Sequence, residues 1–333
     1  MSKSNRVLVT GAGGFIGHHL VKRLRAEGYW VRGADLKVPE YEATDANEFE
    51  TLDLRQFDHC LLAVRGGIDC VYNLAADMGG IGFITANHAE VARNNVLINV
   101  QMLEASRVQD VNRFLFSSSA CVYAQSKQKT AEVAPLREED AYPADPEPGY
   151  GWEKLYSEQL CSYYWQDYGF ETRIARFHNV YGPLGTYEGG REKAPAAICR
   201  KIALAQNHGT IEIWGDGEQS RSFMYVDDCV EGLVRLMASD RREPLNLGTE
   251  RLISINGLVD LSCEIAGKRL TKKHDLTKPQ GVRGRNSDNR RLREVLGWEP
   301  AISLEKGVAL TYSWIESELA KAGRAPKHVV AQV

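Results

Sequence analysis

Apolar positions along the chain gather into short runs, set apart by longer stretches in which apolar and polar residues alternate at helical spacing. The runs Arg6-Val-Leu-Val-Thr10, Trp30-Val-Arg-Gly-Ala-Asp35, Cys70-Val-Tyr-Asn-Leu-Ala75, Arg113-Phe-Leu-Phe-Ser117 and Thr172-Arg-Ile-Ala-Arg176 predict strands. Amphipathic patterns from about Glu90 to Arg107 and around Tyr150 predict helices between them. That alternation predicts the α/β class, with a doubly wound parallel sheet. From about Asn179 the pattern turns irregular and rich in Gly, Arg and Asp, as expected of a smaller C-terminal lobe. Arg221 to Asp228 and the run Pro244 to Gly248 read as a return to the sheet. The expected organisation is a sheet domain over residues 1–178, rejoined by 222–250, a second lobe over 179–221 and 251–320, and a flexible tail over 321–333.

The first run passes directly into Gly11-Ala-Gly-Gly14-Phe15-Ile16-Gly17 and then into a helical pattern, the strand–turn–helix context of a dinucleotide cradle. Gly11 allows the turn, Gly14 lets the backbone approach a pyrophosphate, and Gly17 lets helix and strand pack closely. Phe15 and Ile16 open the helix whose N-terminus offers partial positive charge. Asp35 ends the second run, about twenty residues after the glycines, where a carboxylate accepts from ribose hydroxyls and repels a 2′-phosphate. The domain is therefore expected to be a Rossmann domain that binds NAD rather than NADP. Asp53, in Leu52-Asp53-Leu54, reads equally as an adenine contact or a plain loop aspartate.

Composition narrows the class. A chain of 333 residues suits two lobes sharing one site, and a net charge of −3 offers no nucleic-acid footprint or polybasic membrane surface. No apolar run follows Met1-Ser-Lys-Ser-Asn5, and none reaches the roughly 18 residues of a membrane span, so a cytoplasmic protein is expected. The seven cysteines (Cys60, Cys70, Cys121, Cys161, Cys199, Cys229 and Cys263) form no Cys-x-x-Cys pair, so neither a metal site nor a disulfide framework is expected.

The chemistry concentrates in two motifs. Tyr150-Gly-Trp-Glu-Lys154 places a phenol and an ammonium one helical turn apart on one face, where the cation is expected to lower the phenol toward neutrality. In Ser118-Ser119-Ala120-Cys121 a cysteine stands where simple alcohol oxidation needs no further acid or base. A sugar carbon bearing hydrogen is not acidic, but a ketone at carbon 4 acidifies carbons 3 and 5 together. Inversion there needs a hydroxyl base and further groups that remove and return protons on opposite ring faces. Read alone, Cys121 stays open between such a group and a small buried hydrophobe, and Lys193 between that and a solvated loop lysine. If Arg191 shared the pocket, it would favour a neutral Lys193 amine. His178 reads as a packed, hydrogen-bonded histidine rather than a base.

The glycine pattern, Asn73-Leu-Ala-Ala, Ser118-Ser119, Tyr150 with Lys154, Arg176-Phe-His-Asn179-Val-Tyr-Gly-Pro183, Arg221-Ser-Phe and Leu296-Gly-Trp-x-Pro300 together resemble the extended short-chain dehydrogenase/reductases that act on nucleotide sugars. The likeness runs from about residue 6 to 315. Met78-Gly-Gly-Ile-Gly82, Ser119-Ala-Cys121, Gly189 to Ala197, Trp214 to Phe223 and Gly281 to Asp288 are similar, within that group, to its GDP-mannose 3,5-epimerase branch. The resemblance implies bound NAD and GDP-mannose and its epimers as substrates. It implies Tyr150 and Lys154 as the carbon-4 base system, Ser119 bonded to the carbon-4 oxygen, and Cys121 with Lys193 as the carbon acid/base pair. It further implies substrate contacts at Gly79, Ala120, Asn179, Glu192, Ala194, Gln219 and Ser220, with Lys201, Arg221 and Arg285 suiting the diphosphate. The helices near 90–107 and 150–168 resemble a dimer-forming pair, so a homodimer is expected. A 4,6-dehydratase would carry an acidic pair after the serines, which Ala120-Cys121 lacks, and a 4-epimerase needs no carbon acid. A nucleotide-sensing module would not need the serine, tyrosine, lysine and cysteine together.

Overall fold

In the computed structural model, which describes residues 5–324, β1 (Arg6–Thr10) is buried from Val7 to Thr10 and turns into α1 (Phe15–Ala26). There follow β2 (Trp30–Asp35), β3 (Glu48–Thr51), α2 (Phe57–Val64), β4 (Cys70–Asn73), α3 (Ile81–Ala86), α4 (His88–Val108), β5 (Arg113–Ser119), α5 (Tyr150–Tyr168) and β6 (Glu171–Phe177). Beyond them run β7 (Val180–Tyr181), α6 (Ala194–Leu204), β8 (Thr210–Trp214), β9 (Ser220–Arg221), β10 (Met224–Tyr225), α7 (Val226–Ala238) and β11 (Leu245–Leu247). The chain continues through β12 (Ile253–Ser254), α8 (Ile255–Ile265), β13 (Thr271–Asp275), β14 (Gly284–Arg285), α9 (Arg290–Leu296) and α10 (Leu304–Lys321).

Seven strands form one parallel sheet in the order β11-β6-β5-β4-β1-β2-β3. The doubly wound parallel sheet read from the sequence is thus the observed architecture. The order reverses between β1 and β4, and the crevice at the carboxyl ends of such neighbouring strands is where ligands sit in open α/β sheets. Side chains alternate across each strand. Val7 and Val9 therefore join a core with α1, α6, α7, α8 and α10, while Leu8 faces the other core with Val71, Phe114, α2 and α4. The first core is continuous from Val7 to Ile198, Leu258 and Ile315, so both halves of the chain share it. β5 extends two residues beyond the expected Ser117, because its pairing with β6 continues to Ser119 opposite Phe177. The tail expected from residue 321 begins inside the structure: Lys321 ends α10, and residues 325–333 lie outside the described residues. Among the described residues no helix is long and apolar enough to cross a membrane.

A buried polar network joins α5 to β5, β6 and β11. Arg176, 2% exposed, donates to both Glu158 oxygens at 2.9 and 2.7 Å and to the Glu138 carbonyl at 2.6 Å. The Ser118 hydroxyl donates to the same Glu158 carboxylate. Asn246 of β11 accepts from the Tyr123 hydroxyl at 2.5 Å and meets His178 Nε2 at 2.9 Å. His178 is fully buried with Nδ1 unpaired, a packed imidazole rather than a base. Burial, with Arg285 and Arg176 nearby, lowers its pKa to about 3. Below pH 6.5 the unfolded chain takes up a proton that the folded chain refuses until about pH 3. Stability is therefore expected to fall as pH drops through that interval, by about 1.4 kcal/mol per pH unit from this residue at most. His178→Gln keeps a donor for Asn246 and removes the titration. Urea unfolding between pH 7 and 4.5 should show a shallower pH slope in the variant than in the parent, and equal slopes would refute the assignment.

Candidate active site

The turn after β1 is a cradle that side chains would fill. Gly11 has φ +68°, and a Cβ on Gly17 would lie 2.1 Å from the Gly11 carbonyl oxygen. Gly13, which the sequence reading passed over, is as constrained: its Cβ would lie 1.9 Å from the Lys37 carbonyl oxygen. Gly14 caps α1 with ordinary extended geometry, and Phe15 and Ile16 form the first turn against the core. Asp35, at the end of β2, accepts from the backbone N–H groups of Gly13 at 2.9 Å and Lys37 at 3.3 Å, and burial raises its pKa. A cleft opens over this turn, bounded by Gly13, Gly14, Phe15, Lys37 and Leu184. Bare backbone, a helix N-terminus and an acidic strand end suit a dinucleotide pyrophosphate and ribose. Asp53 closes on Arg55 through two 2.8 Å contacts that push its pKa down to about 2.

Across the switch point, α5 brings Tyr150 beside the end of β5. Tyr150 and Cys121 share a small buried cluster with Val91, Met78 and Phe83. Ser119 Oγ accepts from the Cys121 backbone N–H at 3.2 Å and also hydrogen-bonds the Tyr150 phenol. Lys154 is 1% exposed, with Nζ 3.7 Å from Glu153 Oε1 and 5.5 Å from the Tyr150 ring centre. Glu153 is buried as well, accepting from Asn95 at 3.0 Å and Asn99 at 3.2 Å. The expected lowering of the phenol is not the dominant effect here. Burial raises Tyr150 well above its ordinary value, Cys121 and Glu153 add to that, and Ser119 opposes it. Lys154 lies over the ring and shares its charge with Glu153, so its pull on the hydroxyl is blunted.

Cys121 and Lys193, far apart in sequence, lie within electrostatic reach of one another. Burial and then the Glu147 carboxylate push the thiol up to about 11, with Arg285 opposing. Lys193 precedes α6, where burial lowers its amine and Cys121 and Cys229 are the groups that favour its charge. Among the described residues its side chain has no ion pair. Arg191 does not act on it as expected: Arg191 pairs with Asp77 at 3.0 Å and stacks 3.8 Å from the Phe83 ring centre, so desolvation does that work. The loop is pinned to the segment before α3 by a 3.0 Å bond from Gly80 N–H to the Arg191 carbonyl, next to buried Gly79.

The remaining expected contacts are partly committed elsewhere. Ala120 is buried in the short turn after β5, and Ala194 begins α6. Asn179 (φ +41°) donates to the Ser222 carbonyl at 3.0 Å, and Glu192 accepts from Gly190 N–H at 2.7 Å and Arg200 at 3.3 Å. Lys201 donates to the Glu212 carbonyl at 2.9 Å. Gln219 donates to the Trp214 carbonyl at 3.0 Å while its buried Oε1 has no partner, and Ser220 bonds the Ala131 carbonyl. Among the described residues Arg221 donates to carbonyl oxygens, of Ser220 at 2.7 Å, Val282 at 2.6 Å and Gln280 at 3.3 Å, and burial and Arg285 lower it to about 10 against the opposing pull of Glu147. An unneutralised guanidinium of that kind suits an incoming anion. Arg285, expected with it at the diphosphate, reaches Cys121 Sγ at 3.5 Å, Glu147 at 2.5 Å and Gln128 at 2.5 Å and lies close enough to Arg221 to lower it. β14 pairs with β9, and that register carries Arg285 inward. Glu147 and Gln128 were not anticipated, since in sequence both are polar residues of an irregular loop.

The cradle, the Ser119–Tyr150–Lys154 group and the sheet order define an NAD-dependent nucleotide-sugar enzyme of the short-chain type. The chain belongs to the NAD dependent epimerase/dehydratase family, whose model matches residues 7–248. It is 48% identical over 322 residues to GDP-mannose 3,5-epimerase 1 of Oryza sativa subsp. japonica, covering 96% of this chain and 84% of that protein. It is 47% identical over the same length and shares to GDP-mannose 3,5-epimerase of Arabidopsis thaliana. Among solved structures it is similar to UDP-glucose 4-epimerase of Thermotoga maritima with UDP-glucose, with a TM-score of 0.84 and 29% identity over 94% of this chain and 99% of that one.

Proposed function

We propose that the protein converts GDP-α-D-mannose to GDP-L-galactose, with GDP-L-gulose as the 5-epimer. The observation that supports this reading best is Cys121 packed in one buried cluster with Tyr150, with the Lys193 amine within electrostatic reach of that thiol, a thiol and an amine added to a group that already suffices for alcohol oxidation. The relatives named GDP-mannose 3,5-epimerase support the choice of substrate. Glycines 11, 14 and 17 with Phe15 and Ile16 hold the dinucleotide and Asp35 its ribose. A dinucleotide bound there would supply reversible hydride chemistry at carbon 4, so that the carbon-4 hydrogen would not exchange with solvent.

Tyr150 accepts the carbon-4 hydroxyl proton, with Ser119 bonded to the same oxygen and Lys154 supporting the phenolate. Cys121 and Lys193 exchange protons at carbons 5 and 3 of the resulting ketone. Arg221, with Lys201 and Gln219, receives the diphosphate, and Gly79, Ala120, Asn179, Glu192, Ala194 and Ser220 line the sugar path. A dehydratase needs a protonated acid to expel water. Glu147, the carboxylate nearest Cys121, is held ionised by Arg285 and does not supply one. We also assign a homodimer: α4 and α5 pack together and leave Leu97, Trp152, Tyr156 and Tyr163 exposed, an aromatic surface of the kind buried at interfaces. We also place the protein in the cytoplasm, a reducing compartment that suits a cysteine-bearing chain with no Cys-x-x-Cys pair.

Turnover in heavy water should place deuterium at carbon 5, and at carbons 3 and 5 in the doubly inverted product, leaving carbon 4 unlabelled. Tyr150→Phe should cut both inversion and exchange by about 100-fold or more. Cys121→Ser should retain carbon-4 oxidation and lose inversion, and wild-type inversion in that variant would make Cys121 structural. Deuterium at carbon 6 with loss of water would establish a dehydratase instead. Asp35→Ser should lower the NAD/NADP preference in kcat/KM by about tenfold, the equivalent of ~1.4 kcal/mol. In sedimentation, Trp152→Glu combined with Tyr156→Glu should halve the particle mass; a parent that already sediments as a monomer would refute the dimer.

A further inference from the structure

The loop that ends on Lys193 has to hold that amine against a site built mostly from β5 and α5, elements distant from it in sequence. Glu192 alone separates Lys193 from Arg191, and Lys193 itself leads into α6, so the place of Arg191 sets the place of the amine. Arg191 is gripped on three sides. Its Nη1 donates to Asp77 Oδ1 at 3.0 Å and to the Met78 carbonyl at 3.4 Å, and its guanidinium lies 3.8 Å from the Phe83 ring centre. Its own carbonyl accepts from the Gly80 N–H at 3.0 Å. Met78 and Phe83 both pack against the buried cluster of Cys121 and Tyr150, so the grip seats the loop on that cluster.

Asp77 is the fixed end of this contact. Asn95 of α4, fully buried, clamps its backbone twice: the Asp77 N–H donates to Asn95 Oδ1 at 2.6 Å, and Asn95 Nδ2 donates to the Asp77 carbonyl at 3.2 Å. The same Nδ2 donates to Glu153 at 3.0 Å, one residue before Lys154. Asn94 Nδ2 donates to Asp77 Oδ2 at 3.0 Å, while Asn94 Oδ1 accepts from Arg55 at 3.4 Å and Arg93 at 3.2 Å, which orients the amide. Asp77 is thereby referenced to the helix that carries Tyr150 and Lys154. An exposed ion pair with two free partners contributes little. Here the Asp77 side chain is 19% exposed and held on both oxygens, and the two segments meet so closely that a Cβ on Gly80 would lie 2.5 Å from the Glu192 carbonyl oxygen.

We infer that Asp77 is a positioning residue that holds Lys193 at the sugar site through Arg191. This rests on the epimerase reading above and deepens it. The amine must reach a carbon next to the one whose hydroxyl Tyr150 deprotonates, and a misplacement of about 1 Å can cost about 100-fold in rate. Oxidation at carbon 4 by the Tyr150, Ser119 and Lys154 group needs nothing from this loop, so the two halves of the reaction should respond differently when the grip is released.

Asp77→Ala deletes the carboxylate and leaves the Asn95 clamp on its backbone. In the NAD-bound protein without sugar, amide hydrogen exchange should quicken by about tenfold in the peptide containing Gly80, with peptides of β5 and α5 unchanged. Gly80→Ala, which pushes on the Glu192 carbonyl from the other side of the contact, should loosen the loop containing Gly190 in the same way and decides the matter if Asp77→Ala loses its fold. Unmoved exchange, or faster exchange throughout the chain, overturns the proposal. No sugar is present in this arm, so its result stands apart from the identity of the substrate.

With GDP-mannose, Asp77→Ala should lose about 10- to 100-fold in kcat for inversion, with KM moving far less. Bound NADH, read by its near-ultraviolet absorbance, should still form and should accumulate, because the ketone waits for the amine. An equal loss of NADH formation would indicate a merely structural role and overturn the assignment. Asp77→Asn, which keeps an acceptor for Arg191, should recover part of the rate. Arg191→Gln should match Asp77→Ala, and the double variant should be no slower than the slower single one; losses that add overturn the pairing.

Discussion

The buried ion pair between Glu158 and Arg176 is the constraint on which the site depends. It ties the middle of α5 to β6 through two bonds of 2.9 and 2.7 Å, and Ser118 of β5 joins the same carboxylate. Tyr150, Lys154 and Glu158 recur every four residues along one face of α5, so anchoring Glu158 also sets the other two against the end of β5. Neither charge could stand alone in this setting, since leaving one partner of a buried pair uncompensated typically costs about 3–5 kcal/mol. The pair is surrounded by donors and acceptors from Tyr123, Glu138 and Asn246, so that satisfying one polar group dictates where several elements sit.

Around that anchor, desolvation governs the chemistry. Burial is the leading influence on Tyr150, Cys121 and Lys193 alike, and in each it favours the neutral form. Such a pocket stores protons on weak acids and amines, with charge appearing only as groups exchange protons with the substrate. The cations nearest the thiol are treated unequally: Arg285 is neutralised by Glu147, while Arg221 is left with carbonyl partners. One arginine is thereby spent on tuning a side chain, and the other is left to attract an anion.

The legible parts of the molecule were those with local physical signatures. β1 and β2 lie where the apolar runs place them, because strands buried on both faces are written as largely apolar runs. The glycine cradle was equally readable, since a turn that admits no Cβ leaves its mark in consecutive residues. Gly13 escaped notice because its restriction comes from the Lys37 carbonyl across the turn after β2. Boundaries slipped where pairing with a neighbour, rather than propensity, set the length, as at Ser119 of β5.

By itself the sequence determined the alternation of strands and helices, the dinucleotide turn, and the presence of tyrosine, lysine, serine and cysteine at spacings that carry chemistry. Local spacing encodes these because it acts over one turn or one strand. The tertiary structure alone decided which charges meet. It set Arg285 against Cys121 as well as near Arg221, sent Arg191 to Asp77, and brought Glu147 out of a proline-rich loop to Arg285. Those choices depend on burial and on contacts between residues far apart in the chain, and the energy of a charge is fixed by its surroundings rather than by its neighbours in sequence.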